Sequence, residues 1–272
     1  MDELLFISCT WGWYQHFVPL YIFSVLSVHP NAYLRIIFLE DVNPSVAASL
    51  ADLRAEGFVR FEIFKHKPRF KEMNLWAAER WFFEEHYYDG FKYAWIADID
   101  CMHYLREGQG FLKSQLISAA EEGFCYANCV REAPLDDCMC GWHFIIVRPY
   151  FDAMREVLSS YKNNPEFDFL KSNSSNDERL LYHLVKKGIG LKEATDPTRK
   201  IRWVNVDAIH LGSYRIGDVI PDWQVKQYGN QIRKQCAHPI FERMMSRTHD
   251  KNMNRIFDSL MRQFFSMSIK LL

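Results

Sequence analysis

The chain has 272 residues, of which 49% are hydrophobic and 25% are charged, and its formal net charge is -1 at pH 7. This composition indicates a globular protein with a full core, and the near-zero charge gives no electrostatic reason to expect a nucleic-acid partner. The start, MDELLFISCTWGW, lacks the basic n-region and the cleavage site of a signal peptide, and no apolar run reaches the roughly 18 to 20 residues of a membrane span. We therefore expect a cytoplasmic protein.

Cysteine and aromatic content add two weaker expectations. Seven cysteines without a secretion signal favour reduced thiols, and the cluster at positions 125, 129, 138 and 140 lacks the paired CxxC spacing that is typical of a structural zinc site. The aromatic fraction of 15% fits either an aromatic core or a groove that stacks on the rings of bases or sugars.

Strand-like and helix-like segments alternate over the first hundred residues. The strand patterns cover 3–8, 34–41, 59–65 and 91–100, and the helix patterns cover 18–28, 45–56 and 72–89. The second helix has Ser45 as a possible N-cap and Gly57 just past its end. Such alternation predicts an α/β domain with a mostly parallel, doubly wound sheet, in which ligands bind beyond the carboxyl ends of the strands.

The second half of the chain is less regular. Strand patterns occur at 124–128 and 142–148, and helix patterns at 149–163 and 176–187. The tail, residues 251–272, reads as an amphipathic helix after a main domain of residues 1–250. It either lies in a membrane interface or packs on its own domain or on a second subunit.

Two aspartates follow directly on a buried-strand pattern, in the sequence Asp98-Ile99-Asp100 of WIADIDCMHY. On one face of a continuing strand their charges would repel each other. A divalent cation removes this repulsion, since carboxylate oxygens are preferred ligands of Mg²⁺ and Mn²⁺. The motif therefore predicts a metal site that binds a diphosphate.

The segment AIHLGSYR, residues 208–215, offers a third ligand. His210 can ligate Mn²⁺, Gly212 lets the backbone approach a phosphate closely, and Arg215 can neutralise its charge. An ordinary loop histidine is the alternative reading.

The order of these features resembles the GT-A glycosyltransferases, particularly the retaining group that includes glycogenin and the bacterial lipopolysaccharide galactosyl- and glucosyltransferases. The resemblance covers roughly residues 3 to 215 and consists of short motifs. The motifs are CTWGWYQHFVPLYIFSVLSVHP after the first strand, Arg80, Asp98-Ile99-Asp100, CMCGWHFIIVRPYFDAM with the later pair Asp177-Glu178, and His210-Leu211-Gly212.

The resemblance implies a role for each matching residue. Asp98, Asp100 and His210 would be metal ligands, Arg80, Asp177 and Glu178 would contact the donor sugar as catalytic residues, and the donor-binding set would be Cys9, Thr10, Tyr14, Arg80, Ile99, Gly141, Gly212 and Arg215. Tyr14 stands where the family stacks a ring on uracil. The family's acidic residue just before that ring has no equivalent, since Trp11 lies near that point, and Arg215 replaces a lysine.

For some of these residues a purely structural role would also explain the sequence pattern. Arg80 fits a solvated helix face beside Glu79, and Asp177 and Glu178 fit the favoured acidic first turn of any helix. Trp142 and His143 would face either the acceptor or the core.

The resemblance implies a metal-dependent hexosyltransferase, retaining in stereochemistry, that uses Mn²⁺ or Mg²⁺. It would move a hexose from a nucleotide sugar, UDP-galactose or UDP-glucose, to a glycan or lipid-linked glycan acceptor in bacterial surface polysaccharide or lipopolysaccharide synthesis. Membrane attachment through 251–272 would be peripheral, on the cytoplasmic face of the inner membrane. The alternatives are an inactive nucleotide-sugar or glycan binding module, and a nucleotidyltransferase. The latter would need a basic, glycine-rich loop, whereas CTWGWYQH supplies one glycine and no Lys or Arg.

Overall fold

The computed structural model describes residues 4–105, 110–128, 130, 137–163, 176–191, 208–212, 222–248 and 250–265. Its strands are β1 (Leu4–Thr10), β2 (Tyr33–Phe38), β3 (Phe61–Lys65), β4 (Tyr93–Ile96), β5 (Cys101–His103), β6 (Tyr126–Ala127), β7 (His143–Ile146) and β8 (Ala208–His210). Its α-helices are α1 (Val18–Val28), α2 (Pro44–Ala55), α3 (Phe111–Glu122), α4 (Val147–Asn163), α5 (Asn176–Gly188), α6 (Asp222–Cys236), α7 (Pro239–Arg247) and α8 (Lys251–Phe265). Within the described residues, 3-10 helices lie at Gly12–Phe17, Met73–Phe82 and Glu85–Tyr88.

The strands form one six-stranded sheet in the order β3-β2-β1-β4-β7-β6, while β5 and β8 form a separate antiparallel ribbon. β1 is parallel to β4, β2 is parallel to β3, and β7 runs antiparallel to both of its neighbours. All seven residues of β1 are buried, which is typical of a central strand in a sheet covered on both faces. The predicted α/β fold with a mostly parallel sheet is confirmed.

The chain divides into two compact units. The first comprises Met1–Cys9, His66–Asp98 and Leu112–Asn205, and the second comprises Thr10–Lys65, Ile99–Phe111 and Val206–Leu272. In the first unit, α4 packs on α5, and α5 packs on the 3-10 helix Met73–Phe82. In the second unit, α1 packs on β5 and α2, and α6 packs on α7 and α8.

The single amphipathic helix predicted over 72–89 is wrong, because this segment forms two 3-10 helices instead. Four consecutive residues, Glu79 to Phe82, are buried, so this stretch has no solvent-facing side of the kind an amphipathic α-helix needs. The Glu79 carboxylate accepts the backbone N–H groups of Arg69 and Phe70 at 2.5 and 2.9 Å. Tertiary hydrogen bonds thus decide the local conformation here, rather than the hydrophobic period.

The strand predicted over 91–100 ends earlier, at Ile96. Ser8 Oγ donates to the Ala97 carbonyl at 2.7 Å, just beyond the strand end. Asp98, Ile99 and Asp100 therefore form the link between β4 and β5, and the two carboxylates do not share one face of a continuing strand.

The tail helix α8 buries its apolar face within the second unit. Phe257 of α8 contacts Phe241 of α7, with ring centroids 5.8 Å apart. The buried residues of this face are each 4% exposed or less: Met253, Ile256, Phe257, Leu260 and Phe264. Of the two sequence-based alternatives, packing on its own chain is what residues 251–265 adopt, and residues 266–272 lie outside the described part.

No helix that the structure describes is long and apolar enough to cross a membrane.

Candidate active site

The β5–β8 ribbon brings Asp100 and His210 together from distant parts of the sequence. Cys101 pairs with His210 across the ribbon, and the Leu211 N–H donates to the Asp100 carbonyl at 2.7 Å. The two side chains follow this register, with His210 Nε2 3.2 Å from Asp100 Oδ1. Asp100 is 5% exposed, so its carboxylate faces inward beside the imidazole rather than bulk solvent.

Gly212 allows this close approach. A Cβ at position 212 would overlap the Asp100 carboxylate and would lie 3.3 Å from His210 Cε1. Any larger residue would therefore displace one of the two side chains. Gly212 is therefore needed beside the carboxylate, and its predicted approach to a phosphate stays a prediction.

Asp98 completes a group of three possible metal ligands. It precedes Asp100 by two residues, so the chain itself keeps the two carboxylates near each other. In Asp98, Asp100 and His210, one ligand atom from each residue lies within 4.8 Å of the others. Two carboxylates and an imidazole nitrogen are a donor set that suits Mn²⁺ or Mg²⁺. The residues thus fit the predicted divalent cation.

Arg80 lies inside the first unit, not on a solvated helix face. Its Nη1 donates to Asp98 Oδ1 and its Nη2 donates to Asp177 Oδ2. The residue is 5% exposed, and its guanidinium carbon lies 4.5 Å from the centroid of the Trp81 ring. Burial alone would lower the pKa of Arg80, but the Asp98 and Asp177 carboxylates raise the pKa above its ordinary value. Arg80 is therefore a fixed positive charge.

Gly141 lies where the side chains of this group converge. Its N–H donates to Glu178 Oε1 at 3.0 Å. A Cβ at position 141 would lie 2.9 Å from Asp98 Oδ2, 3.1 Å from Arg80 Nη2 and 3.2 Å from Glu178 Oε1. Asp177 and Glu178 do occupy the first turn of α5, as a structural reading predicts. In addition, Asp177 accepts a hydrogen bond from Arg80, and Glu178 accepts one from Gly141.

The residues predicted at the end of β1 are buried. Cys9 Sγ lies 3.9 Å from the Trp76 carbonyl, and burial raises the pKa of its thiol to about 12. Cys9 is therefore a protonated thiol and not a nucleophile. Thr10 is fully buried, and its carbonyl accepts the Leu39 N–H at 3.0 Å.

Tyr14 lies in the 3-10 helix Gly12–Phe17 within an aromatic group. Its ring centroid is 5.4 Å from that of Trp11 and 4.4 Å from that of Trp13. Glu40 was not predicted as a site residue from the sequence. It follows β2 and accepts the N–H of Gly12, the first residue of this 3-10 helix, at 2.5 Å. The signal that could have found it is its position just after β2, because ligands bind at the carboxyl ends of neighbouring parallel strands.

The remaining predicted residues have simpler positions. Ile99 is 4% exposed, and Arg215 lies outside the described residues. Trp142 and His143 are both buried, and His143 stacks on Tyr126 with ring centroids 5.3 Å apart. Burial lowers the pKa of His143 to about 3, so the core alternative is the one observed for this histidine.

Comparison with known proteins supports the fold alone. No family model matches the sequence, and no curated protein shows significant similarity to it. The apo structure of the bifunctional glycosyltransferase WbbM matches with a TM-score of 0.51 at 10% identity, over 92% of this chain and 52% of WbbM. The galactosyltransferase LgtC, in complex with donor and acceptor sugar analogues, matches with a TM-score of 0.48 at 12% identity, over 93% of this chain and 99% of LgtC.

A third match is the mannosyltransferase PcManGT from Pyrobaculum calidifontis, in complex with GDP-Man and Mn²⁺. Its TM-score is 0.43 at 11% identity, over 95% of this chain and 73% of PcManGT. The likeness to WbbM confirms, at the level of fold, the resemblance to GT-A glycosyltransferases that the motif order predicted.

Proposed function

We propose that the chain is a metal-dependent glycosyltransferase that moves a hexose from a nucleotide diphosphate sugar to a glycan acceptor. The observation that carries this proposal is the group formed by Asp98, Asp100 and His210, whose ligand atoms lie within 4.8 Å of one another. The fold supports the proposal but does not decide it, because one fold can host unrelated activities.

Asp98, Asp100 and His210 would hold Mn²⁺ or Mg²⁺. The bound cation would offset the negative charge that develops on the departing diphosphate. Asp98 is also a hydrogen-bond acceptor for Arg80, whose guanidinium is held from its other side by Asp177. Arg80 thereby fixes the orientation of Asp98 and supplies a buried positive charge next to it, which is electrostatic preorganisation of the kind that stabilises a charged leaving group.

Gly141, Asp177 and Glu178 are proposed to bind the donor sugar. Glu178 is fixed by the Gly141 N–H at 3.0 Å, and Asp177 is fixed by Arg80. Carboxylates held in this way can accept hydrogen bonds from sugar hydroxyls. The absence of a side chain at Gly141 leaves space beside Asp98 and Arg80, where a Cβ would be within 3.1 Å of both.

In the transfer step the bond from the anomeric carbon to the diphosphate oxygen breaks, and a bond to the acceptor hydroxyl oxygen forms. In a retaining reaction the departing diphosphate oxygen can accept the proton of that hydroxyl, so no strong protein base is needed. Retention, a UDP-galactose or UDP-glucose donor, and a role in bacterial surface polysaccharide or lipopolysaccharide synthesis belong to this proposal through the resemblance in motif order. Membrane contact through the apolar face of α8 does not, since that face is buried.

Substitution of Asp100 tests the proposal. Asp100→Asn keeps the shape of the side chain but removes a charged ligand, so we expect nucleoside diphosphate release from a panel of UDP-galactose, UDP-glucose and GDP-mannose with Mn²⁺ to fall by about 100-fold or more. The matched control is Asp152→Asn, an equal change of charge at an exposed aspartate of α4, which should keep wild-type activity. Full activity of Asp100→Asn in the presence of a chelator would rule out the assignment.

A further inference from the structure

The turn after β1 lies beside the end of β2 in the second unit. The Leu39 N–H donates to the Thr10 carbonyl at 3.0 Å, which aligns the two carboxyl ends. Gly12 then has a φ of 51°, a left-handed conformation that glycine adopts without strain. This turn carries three half-buried rings, with Tyr14 in contact with both Trp11 and Trp13. Such rings are a surface on which a planar base can stack.

Glu40 lies directly under this turn, and only one of its two oxygens is used. Oε1 accepts the Gly12 N–H at 2.5 Å and the Gln15 side-chain N–H at 2.7 Å. An oxygen of a carboxylate has two lone pairs, so Oε1 is saturated. Within the residues that the structure describes, Oε2 accepts no hydrogen bond, and the side chain is only partly buried.

Gln15 has no polar group available to hydrogen-bond a nucleobase. It is 2% exposed, and its Nε2 donates both to Glu40 and to the Asp41 carbonyl at 3.0 Å. Its Oε1 accepts the Asn43 N–H at 2.8 Å. Every polar position of the amide is therefore occupied, and its effect is to fix the orientation of the Glu40 carboxylate.

We propose that Glu40 selects the nucleobase of the donor, with Oε2 accepting the single imide N–H of uracil while the base stacks on the aromatic turn. This inference rests on the proposed function, and it adds the residue and the hydrogen bond that set the base. It also identifies where this chain carries an acidic group near Tyr14, since none precedes Tyr14 in the turn itself.

The affinity for each nucleotide should depend on how well the pairing edge of its base matches the one available oxygen of the Glu40 carboxylate. Uracil presents one N–H on its pairing edge, which matches one available oxygen. Guanine presents two adjacent N–H groups, which suit both oxygens of a carboxylate, and Oε1 is already occupied. Cytosine and adenine carry an amino donor, but it lies next to a ring nitrogen acceptor, which a carboxylate oxygen repels. The expected order of affinity is UDP, then GDP, then CDP and ADP.

The test is Glu40→Gln, with affinities for UDP, GDP, CDP and ADP measured by calorimetry in Mn²⁺. The glutamine oxygen must stay against the Gly12 and Gln15 donors, because the reverse orientation would oppose N–H to N–H. Its NH₂ then replaces Oε2 and offers a donor where an acceptor was. We expect UDP affinity to fall by about 10- to 100-fold and CDP affinity to rise, so that the UDP/CDP preference is lost or inverted.

Asp41→Asn is the matched control, since it makes the same chemical change one residue further on. Asp41 Oδ1 pairs with Lys65 Nζ at 2.5 Å, and the Asp41 side chain is 92% exposed, so the nucleotide ranking should stay as in the wild type. If Glu40→Gln did not fold, the ranking of the four nucleotides by the wild-type protein would still test the inference.

The outcomes separate the two proposals. A wild-type preference for UDP that Glu40→Gln removes supports the inference. A wild-type preference for GDP, CDP or ADP, or an unchanged UDP/CDP ratio in Glu40→Gln, overturns it while nucleotide binding, and with it the proposed function, stands. If the wild type binds none of the four in Mn²⁺, the proposed function itself fails and the inference fails with it.

Discussion

Gly212 controls the distance between Asp100 and His210. Because a Cβ there would overlap the Asp100 carboxylate, Gly212→Ala must displace a ligand side chain or the ribbon backbone. We expect a destabilisation of about 1 to 3 kcal/mol from overpacking, and a loss of Mn²⁺ affinity of about 10-fold or more. Titration of Mn²⁺ and urea unfolding measure the two effects separately.

Gly110→Ala is the control for this substitution. A Cβ at Gly110 has nothing within 4 Å, and Gly110 has no left-handed φ, so the same change should be nearly neutral there. Wild-type Mn²⁺ affinity in Gly212→Ala would show that Asp100 and His210 do not act together on a cation.

The metal-ligand candidates could be predicted because each has a local signal. Asp98 and Asp100 follow a buried-strand pattern, and His210 precedes a glycine. Glu40 has only its position just after β2, and Glu79 has no such signal, since charged residues are expected at the surface. Their environment depends on partners elsewhere in the chain: Glu79 accepts the N–H groups of Arg69 and Phe70, and Glu40 accepts those of Gly12 and Gln15. The donors lie nine or more residues away, so no local pattern reveals them.

At the scale of elements, most strands and helices with a clear period were predicted, including the helix that begins with Asp177 and Glu178, whereas the helix over 72–89 and the end of the strand over 91–100 were not. β1 is a largely apolar run whose residues are all buried, so its sequence alone was enough to predict a strand. The 3-10 helix Met73–Phe82 has a similar apolar content but also buries Glu79 and Arg80. Two adjacent charged residues that are both buried do not fit the amphipathic α-helix that the hydrophobic period alone favours.

Helix α8 provides a matched pair of neighbouring residues for a stability test. Leu260 is 0% exposed, whereas Met261, the next residue and about 100° further around the helix axis, is 37% exposed. We expect Leu260→Ala to lower the free energy of unfolding by about 2 to 5 kcal/mol, because it leaves a cavity, and Met261→Ala to change it by about 0.5 kcal/mol or less. Urea unfolding of both variants at equal protein concentration gives the comparison.

Equal stability of Leu260→Ala and Met261→Ala would contradict the burial of the α8 face within the second unit. In that case the face would be available to a membrane or to a second subunit, which was the alternative left by the sequence. A large difference between the two variants ties α8 to the fold of its own unit.

At the scale of the whole molecule, burial lowers the pKa of several histidines among the described residues. Burial lowers the pKa of His29 to about 4 and that of His143 to about 3. Burial, together with the nearby His29, lowers the pKa of His103 well below its ordinary value. His29 and His103 lie in the second unit and His143 lies in the first, so both units contain an imidazole that is neutral when folded.

These histidines predict a loss of stability as the pH falls. Each folded-state pKa is below the unfolded value of about 6.5, so the unfolded chain binds the proton first, and the stabilisation is complete above pH 6.5 and is lost below it. Between pH 7.5 and 5.5, each histidine should lower the free energy of unfolding by about 1.4 kcal/mol. His143→Phe keeps an aromatic ring against Tyr126 and removes one titrating group, so its stability should fall by about 1.4 kcal/mol less than that of the wild type over the same interval. Urea unfolding at the two pH values measures this difference directly, and equal losses in the two proteins would show that the pKa of His143 is not lowered in the folded state.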